Sequence, residues 1–348
     1  ADVTAVYASQ AAGATLHAGA LNLGGTAVTS TAAELNLLDG VTSLSSGSTS
    51  INGLSDGLVE DNSIYIGNDP SSTTDDAEYN VAVGTTALDA VTTGDFNTGV
   101  GYSSLTANTA GTMNTGLGSG TLYANTTGSY NEAIGVNALI ANTTGSRNIA
   151  IGTTAMDAAD TENDNLAIGY AALSSDLDGG EYNVAIGNYS LEANTSGDYN
   201  VALGHAAGAS NTTGGNNTFV GMGAGRASTT ASSNTFIGME AATVNTTGEV
   251  NTFVGHRAGY SNTTASSNTF LGTYAGNSNT TGSPNNAIGY KALYSNTTGT
   301  NNTTNGVAAL WSNNTGSSNT AVGFYAGLEN TTGDRNIAIG YRALDGPD

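Results

Sequence analysis

The sequence contains no cysteine. Disulfides, thiolate metal ligands and cysteine nucleophiles are therefore excluded, and cysteine usage says nothing about the redox compartment. Positive charge is nearly as scarce: Lys+Arg number 6 against 28 Asp+Glu, a formal net charge of −22. Nucleic-acid binding by phosphate neutralisation needs a basic face, so no nucleic-acid partner is expected. No basic residue precedes Arg147, whereas thirteen acids do. Charge this one-sided keeps a particle soluble and opposes lateral bundling, and it suits a high-salt medium in which repulsion is screened. No apolar run approaches the roughly 18 residues of a membrane span, so membrane insertion is not expected. The first residues, ADVTAVYASQ, lack a basic region followed by an apolar one and lack an initiator Met. They read as part of a longer or processed chain without a visible signal peptide. Apolar residues at 38 % and charged residues at 10 % are both low, and glycine is 49 of 348. Composition alone would suggest disorder.

Periodicity overrides composition. Glycine closes an N-x-A-I-G-like pentad at Gly67, Gly84, Gly101, Gly118, Gly135, Gly152 and Gly169, and again from Gly187 through Gly204 and Gly221 to Gly340. Every step spans seventeen positions except one of eighteen, between Gly169 and Gly187, where Asp176-Leu177-Asp178-Gly179-Gly180 holds the extra residue. The unit reads N-x-A-I-G-x-x-A-L-x-x-N-T-T-G-x-x, as in residues 131–147 (NEAIGVNALIANTTGSR). Its first Asn is position zero here.

Seventeen residues are too few for a helix–turn–helix repeat, and no stretch keeps i, i+3, i+4 apolar spacing. Short apolar runs separated by Gly and an Asn-Thr-Thr-Gly turn predict one coil of a parallel β-solenoid, or β-roll. Rungs spaced about 4.8 Å apart would stack into a rod of roughly 80 Å. Asn and Thr columns are expected to form ladders that bond along the stack. The predicted organisation is all-β: a solenoid over residues 63–348 of about seventeen rungs, preceded by a short mixed connector at 1–62.

Two positions trade volume. Position two is Phe in four consecutive rungs (Phe219, Phe236, Phe253, Phe270), and position eight there is Gly225, Ala242, Gly259 and Gly276. Where position two is Ala82, Ala133, Ala150, Ala167 or Ala287, position eight is Leu88, Leu139, Met156, Leu173 or Leu293. Close packing at constant volume requires such a trade, so both positions face one interior. Two rungs are exceptions: Ala202 goes with Gly208, where Phe219 of the next rung is expected to fill the space, and Ala321 goes with Gly327, which the pattern does not explain. The rung at Asn302 departs by placing Thr304 and Asn305 where Ala and Ile recur.

Adjacent strand residues face opposite ways, so position three should point outwards. It is nevertheless aliphatic: Val83, Val100, Leu117, Ile134, Ile151, Ile168, Ile186, Ile288, Val322 and Ile339. A stripe of this length marks an interface. It predicts a homotrimer about an axis parallel to the rod, with a dimer as the alternative and a flattened coil holding both residues inside as the competing fold.

Within residues 1–62, Thr31-Ala32-Ala33-Glu34 has capping-box spacing and precedes Leu35, Leu37 and Leu38, with Asp39-Gly40 as a stop. This predicts a short helix near 31–39, flanked by β-like pieces at 20–23 and 26–28. Residues 31–42, TAAELNLLDGVT, resemble a segment that recurs in bacteriophage tail-fibre proteins. Rungs such as NNAIGYKALYSNTTG (285–299) and NTAVGFYAGLENTTG (319–333) resemble the repeats of such fibres. The rungs are also similar to the N-x-A-I-G repeats of trimeric autotransporter adhesin heads, which are trimeric parallel β-rolls, although those repeats are shorter and lack the regular Asn-Thr-Thr-Gly turn. The resemblance implies a structural fibre shaft on a virion that carries a receptor-binding tip. Its partners would be its own copies, other virion or filament subunits, and a host-surface glycan or protein. The alternative it implies is a bacterial extracellular filament or surface adhesin.

Chemistry-bearing residues are sparse. His205 and His256 share position five three rungs apart, about 14 Å at solenoid spacing, too far for a shared metal. Gly221-Met222-Gly223-Ala224-Gly225 lacks the helix and acidic residue of a nucleotide loop. The best metal candidate is the acidic stretch Asp160, Glu162, Asp164, Asp176 and Asp178, where stacked carboxylates would be relieved by Ca²⁺; no other cofactor is expected. Asn-Thr-Thr at Asn142, Asn211 and Asn245 reads as ladder positions rather than glycosylation acceptors. The outer aromatics Tyr102, Tyr123, Tyr260, Tyr290, Tyr294, Trp311, Phe324 and Tyr325 scatter over positions five, six and nine, as ordinary coverage of a strand would. Rungs this uniform form no groove with convergent carboxylates, so no enzymatic activity is expected.

Overall fold

The computed structural model describes residues 57–346, except 68, 69, 71, 72 and 75, together with the backbone of β1 (Asn22–Leu23) and β2 (Thr26–Ala27). The chain divides into two units, Ala1–Gly53 and Leu54–Asp348. In the first, β1 and β2 pair antiparallel, at the pieces expected to be β-like. The helix expected near 31–39 lies outside the described residues.

The second unit is a β-solenoid whose turns keep the seventeen-position repeat of the sequence. It opens with β3 (Gly57–Glu60) antiparallel to β4 (Ser63–Ile66). Sixteen short strands follow, β5 (Val81–Val83) to β20 (Ile337–Ile339), each pairing in parallel with the strand one rung away. Equivalent positions stand directly opposite: Val81, Ala82 and Val83 face Thr98, Gly99 and Val100. β3 pairs with β4 across the boundary expected at residue 62 and covers the first rung's otherwise unpaired edge; both strands lie in the second unit.

Backbone bonds run between rungs. The position-one amide donates forward to the next position-zero carbonyl (Thr98 to Asn114, 2.8 Å), and position four donates back to position three (Gly101 to Val83, 2.8 Å). Closing so short a coil needs left-handed backbone at positions six, eight and sixteen, which non-glycine residues fill: Asn137 at φ 59°, Leu139 at 52° and Arg147 at 61°. Such conformations cost about 1–2 kcal/mol each; the bonds to both neighbouring rungs and the buried side chains offset this. Position four, by contrast, is glycine throughout. At Gly152 φ is +141°, and a Cβ would lie 2.3 Å from the Gly169 oxygen.

The interior holds positions two, seven and eight. Leu88, Leu105, Leu122, Leu139, Met156 and Leu173 stack without exposure, and so do Phe219, Phe236, Phe253 and Phe270. The Phe rings lie 4.7–5.8 Å apart. The volume trade is direct, since a Cβ at Gly276 would lie 2.4 Å from the Phe270 ring. A Cβ at Gly208 would lie 2.5 Å from the ring of Phe219, one rung on. Phe219, at the start of the Phe block, therefore reaches back over Gly208 as well, which explains why Ala202 is followed by another small residue. At Gly327 a Cβ would lie 3.0 Å from the Leu310 side chain of the rung before.

Two buried asparagine columns close each turn on a single carbonyl. Asn114 Nδ2 (2.8 Å) and Asn125 Nδ2 (3.0 Å) both donate to the Gly128 carbonyl, using its two lone pairs. The position-zero Oδ1 accepts the amide of the following rung's Asn (Asn131 to Asn114, 3.0 Å). The position-eleven amides bond to one another along the stack (Asn142 Nδ2 to Asn125 Oδ1, 2.7 Å). Position-twelve threonines donate to the next rung's carbonyl (Thr126 to Thr143, 3.0 Å). The expected ladders exist, and most of their bonds go to backbone.

Candidate interaction face

The strand's first and third residues point away from the coil. In β5 the order is exposed, buried, exposed, and Ala82 is wholly buried. The flattened coil with both residues inside is thereby excluded. Position three is exposed at Val83, Leu117, Val322 and Ile339, and half-buried at Val100, Ile134, Ile151, Ile168, Ile186 and Ile288. The column is continuous, because Ile134 faces Ile151, Ile168 faces Ile186, and so on along the parallel register. Of its seventeen members from Ile66 to Ile339, sixteen are aliphatic and none is charged. Position one beside it is mostly Thr, Val, Ile or Leu, with Glu132 as its one charged residue.

The acidic stretch is arranged otherwise than a metal site requires. Glu162 is 3 % exposed, and its carboxylate accepts four bonds: from the Asp160 and Thr161 amides (3.1 Å each), the Thr161 hydroxyl and the Gly179 amide (3.2 Å each). It fills the space that position eleven leaves by being Ala159 instead of Asn. Asp164 is paired with Arg147 at 2.6 and 2.8 Å, and that bond holds its carboxyl below the usual carboxylate range. Asp160, Asp176 and Asp178 are exposed. Asp176 is the extra residue of the lengthened rung, bulged outwards before the buried Leu177. Among the described residues no group of three His, Asp or Glu could hold a metal ion.

His205 packs edge-on against Tyr189 and His256 against Tyr274. The outer aromatics are less scattered in space than in sequence. Position-sixteen pairs stack along the rod (Tyr79–Phe96 at 4.8 Å, Tyr182–Tyr199 at 5.0 Å). Lys291, the single lysine, stands 5.4–5.9 Å from the rings of Tyr274, Tyr290, Tyr294 and Trp311. Sequence spacing alone does not reveal that cluster. Its signal is aromatics at positions five, six and nine of three successive rungs around a cation.

A second role hidden in the sequence belongs to position fifteen, whose side chain caps the amide of the rung before. Asp95 accepts from Glu78 (2.8 Å), Ser129 from Thr112 (3.0 Å) and Asn163 from Ser146 (2.9 Å). The recurrence of Asp, Ser and Asn there is its sequence signal. Among the described residues no helix is long and apolar enough to cross a membrane. No protein-family model, curated protein or solved structure matches this chain.

Proposed function

We propose that this chain is the shaft of a homotrimeric fibre, and that the fibre is a virion tail fibre projecting a receptor-binding tip. The observation that supports the shaft is the uncharged aliphatic column facing out along the whole solenoid. A strip about 77 Å long and about 10 Å wide offers about 800 Å² per chain, which is one side of a standard interface. Of the 28 acids only Glu132 lies on positions one and three. Copies with a net charge of −22 can approach one another by this face without bringing like charges together. The resemblance of residues 31–42 and of the rungs to tail-fibre segments supports the virion. The role is mechanical: rungs bonded along the axis resist bending, and the shared seam joins the chains.

Sedimentation velocity tests the shaft. The chain should sediment as an elongated trimer, and Ile151→Asp, which places three carboxylates in the seam, should release monomers with an unchanged circular dichroism spectrum. A wild-type chain that stays monomeric at micromolar concentration would overturn the reading. Immunogold labelling tests the location, with tail-attached fibres expected; label on cell envelopes would overturn the virion and favour an adhesin.

A further inference from the structure

A seam made of identical rungs has a problem of its own. If chains met only through aliphatic position-three residues, sliding one chain by a rung, about 4.8 Å, would exchange Val for Ile and leave the contact nearly unchanged. Repetition makes the register degenerate, as it is in β-structure wherever nothing distinguishes one alignment from another. The column contains one residue that breaks the degeneracy. At Asn305 the side chain is polar, between Ile288 on one side and Val322 on the other, and it is exposed.

The rung itself is in frame. Thr303, Thr304 and Asn305 pair with Asn286, Ala287 and Ile288, and Thr304 is buried in the interior as position two requires. Its hydroxyl donates to the Asn286 carbonyl at 3.4 Å. Asn305 is thus a true outward residue and not the product of a slipped strand. Among the described residues its side-chain amide makes no hydrogen bond within its own chain. The buried asparagines of positions zero and eleven are, with few exceptions, bonded.

Resting on the fibre reading above, we infer that Asn305 is the register pin of the seam: its partners are the Asn305 amides of the other copies of this chain. About an axis parallel to the rod, identical residues meet only when rungs are aligned. An amide carries donors and an acceptor, so like pairs with like. A slip of one rung instead sets each Asn305 against Ile288 or Val322, desolvated and unbonded. A single polar residue in an apolar seam selects register in coiled coils by the same physics.

The absence of native cysteine allows a direct test. Chains carrying Leu271→Cys and chains carrying Ile288→Cys, one rung apart, are co-expressed and oxidised, and the disulfides are counted by mass spectrometry. With Asn305 present, the 271–271 and 288–288 links should exceed the mixed 271–288 link at least about tenfold, from the cost of unpaired buried amides. With Asn305→Ile in both chains, the mixed link should rise to the level of the like links while sedimentation still reports an oligomer. An oligomer whose disulfide ratio is unaffected by Asn305→Ile would overturn the pin and leave the fibre standing. A chain that sediments as a monomer would overturn both.

Discussion

The sharpest test of the interior is a double-mutant cycle at Phe270 and Gly276. Phe270 is fully buried, stacked on Phe253 at 4.7 Å, and its ring occupies the space a side chain at position 276 would need. Phe270→Ala alone leaves a ring-sized void and should cost about 3–5 kcal/mol. Gly276→Leu alone should cost about 2 kcal/mol or more by overpacking, because its Cβ would lie 2.4–2.6 Å from three ring carbons. The backbone is not the obstacle: φ is 57° at Gly276 and 54° at Leu293, one rung on. Together the two changes recreate the Ala287/Leu293 rung and move the edge of the Phe block by one step. Only the Phe253 stack is lost, worth about 0.5–1.5 kcal/mol. The double variant should therefore be more stable than either single one, with a coupling of about 4–5 kcal/mol, beyond the usual range for touching pairs. Urea unfolding followed by circular dichroism gives all four stabilities. Destabilisations that simply add would refute the shared interior.

Ser228 interrupts the position-eleven ladder and leaves the Asn211 Oδ1 and its own hydroxyl buried without partners. Ser228→Asn should restore the ladder, raising stability by about 1–3 kcal/mol in the same unfolding assay; Asn262 beside Ala265 shows that asparagine fits next to a position-fourteen alanine. Adding Ca²⁺ should leave the thermal midpoint unchanged, since Glu162 is occupied by amides; Glu162→Ala should cost about 2–4 kcal/mol, and a midpoint that climbs with Ca²⁺ would show a site instead. Arg147 lowers the Asp164 pKa, so their pairing is present above the ordinary carboxylate pKa and lost as pH falls through the lowered value. Arg147 is largely solvated and Asp164 partly so, which leaves the pair weak, so Asp164→Asn should barely move the midpoint at pH 7 and should reduce the acid-side slope.

The rung and its polarity were legible because two independent signals agreed. The fixed recurrence places equivalent residues in columns, and the Phe/Gly exchange marks one column pair as interior, so strand alternation sends position three outwards. Bond partners were not legible. Nothing in the spacing says that Asn114 and Asn125 converge on one carbonyl, or that Asn Oδ1 at position zero accepts first from the backbone amide of the next rung. Left-handed leucines were invisible for a different reason: propensity argues against them, and only the inter-rung bonds outweigh it. Glu162 looked like one acid among several because the hole made by Ala159 exists only once the rungs are stacked. The cap β3 went unread because a single short strand ahead of the first rung carries no periodic signal.

The parallel register has a consequence for how such a molecule changes over generations. Since each turn touches only the turns before and after it, deleting or duplicating one whole repeat removes or adds one identical layer and disturbs no distant contact. Reach can therefore be adjusted in increments of about 4.8 Å, by recombination between near-identical coding repeats, with the fold intact at every intermediate. Most layers are interchangeable under such editing. The one that carries Asn305 is not, because every copy must keep it at the same distance along the chain.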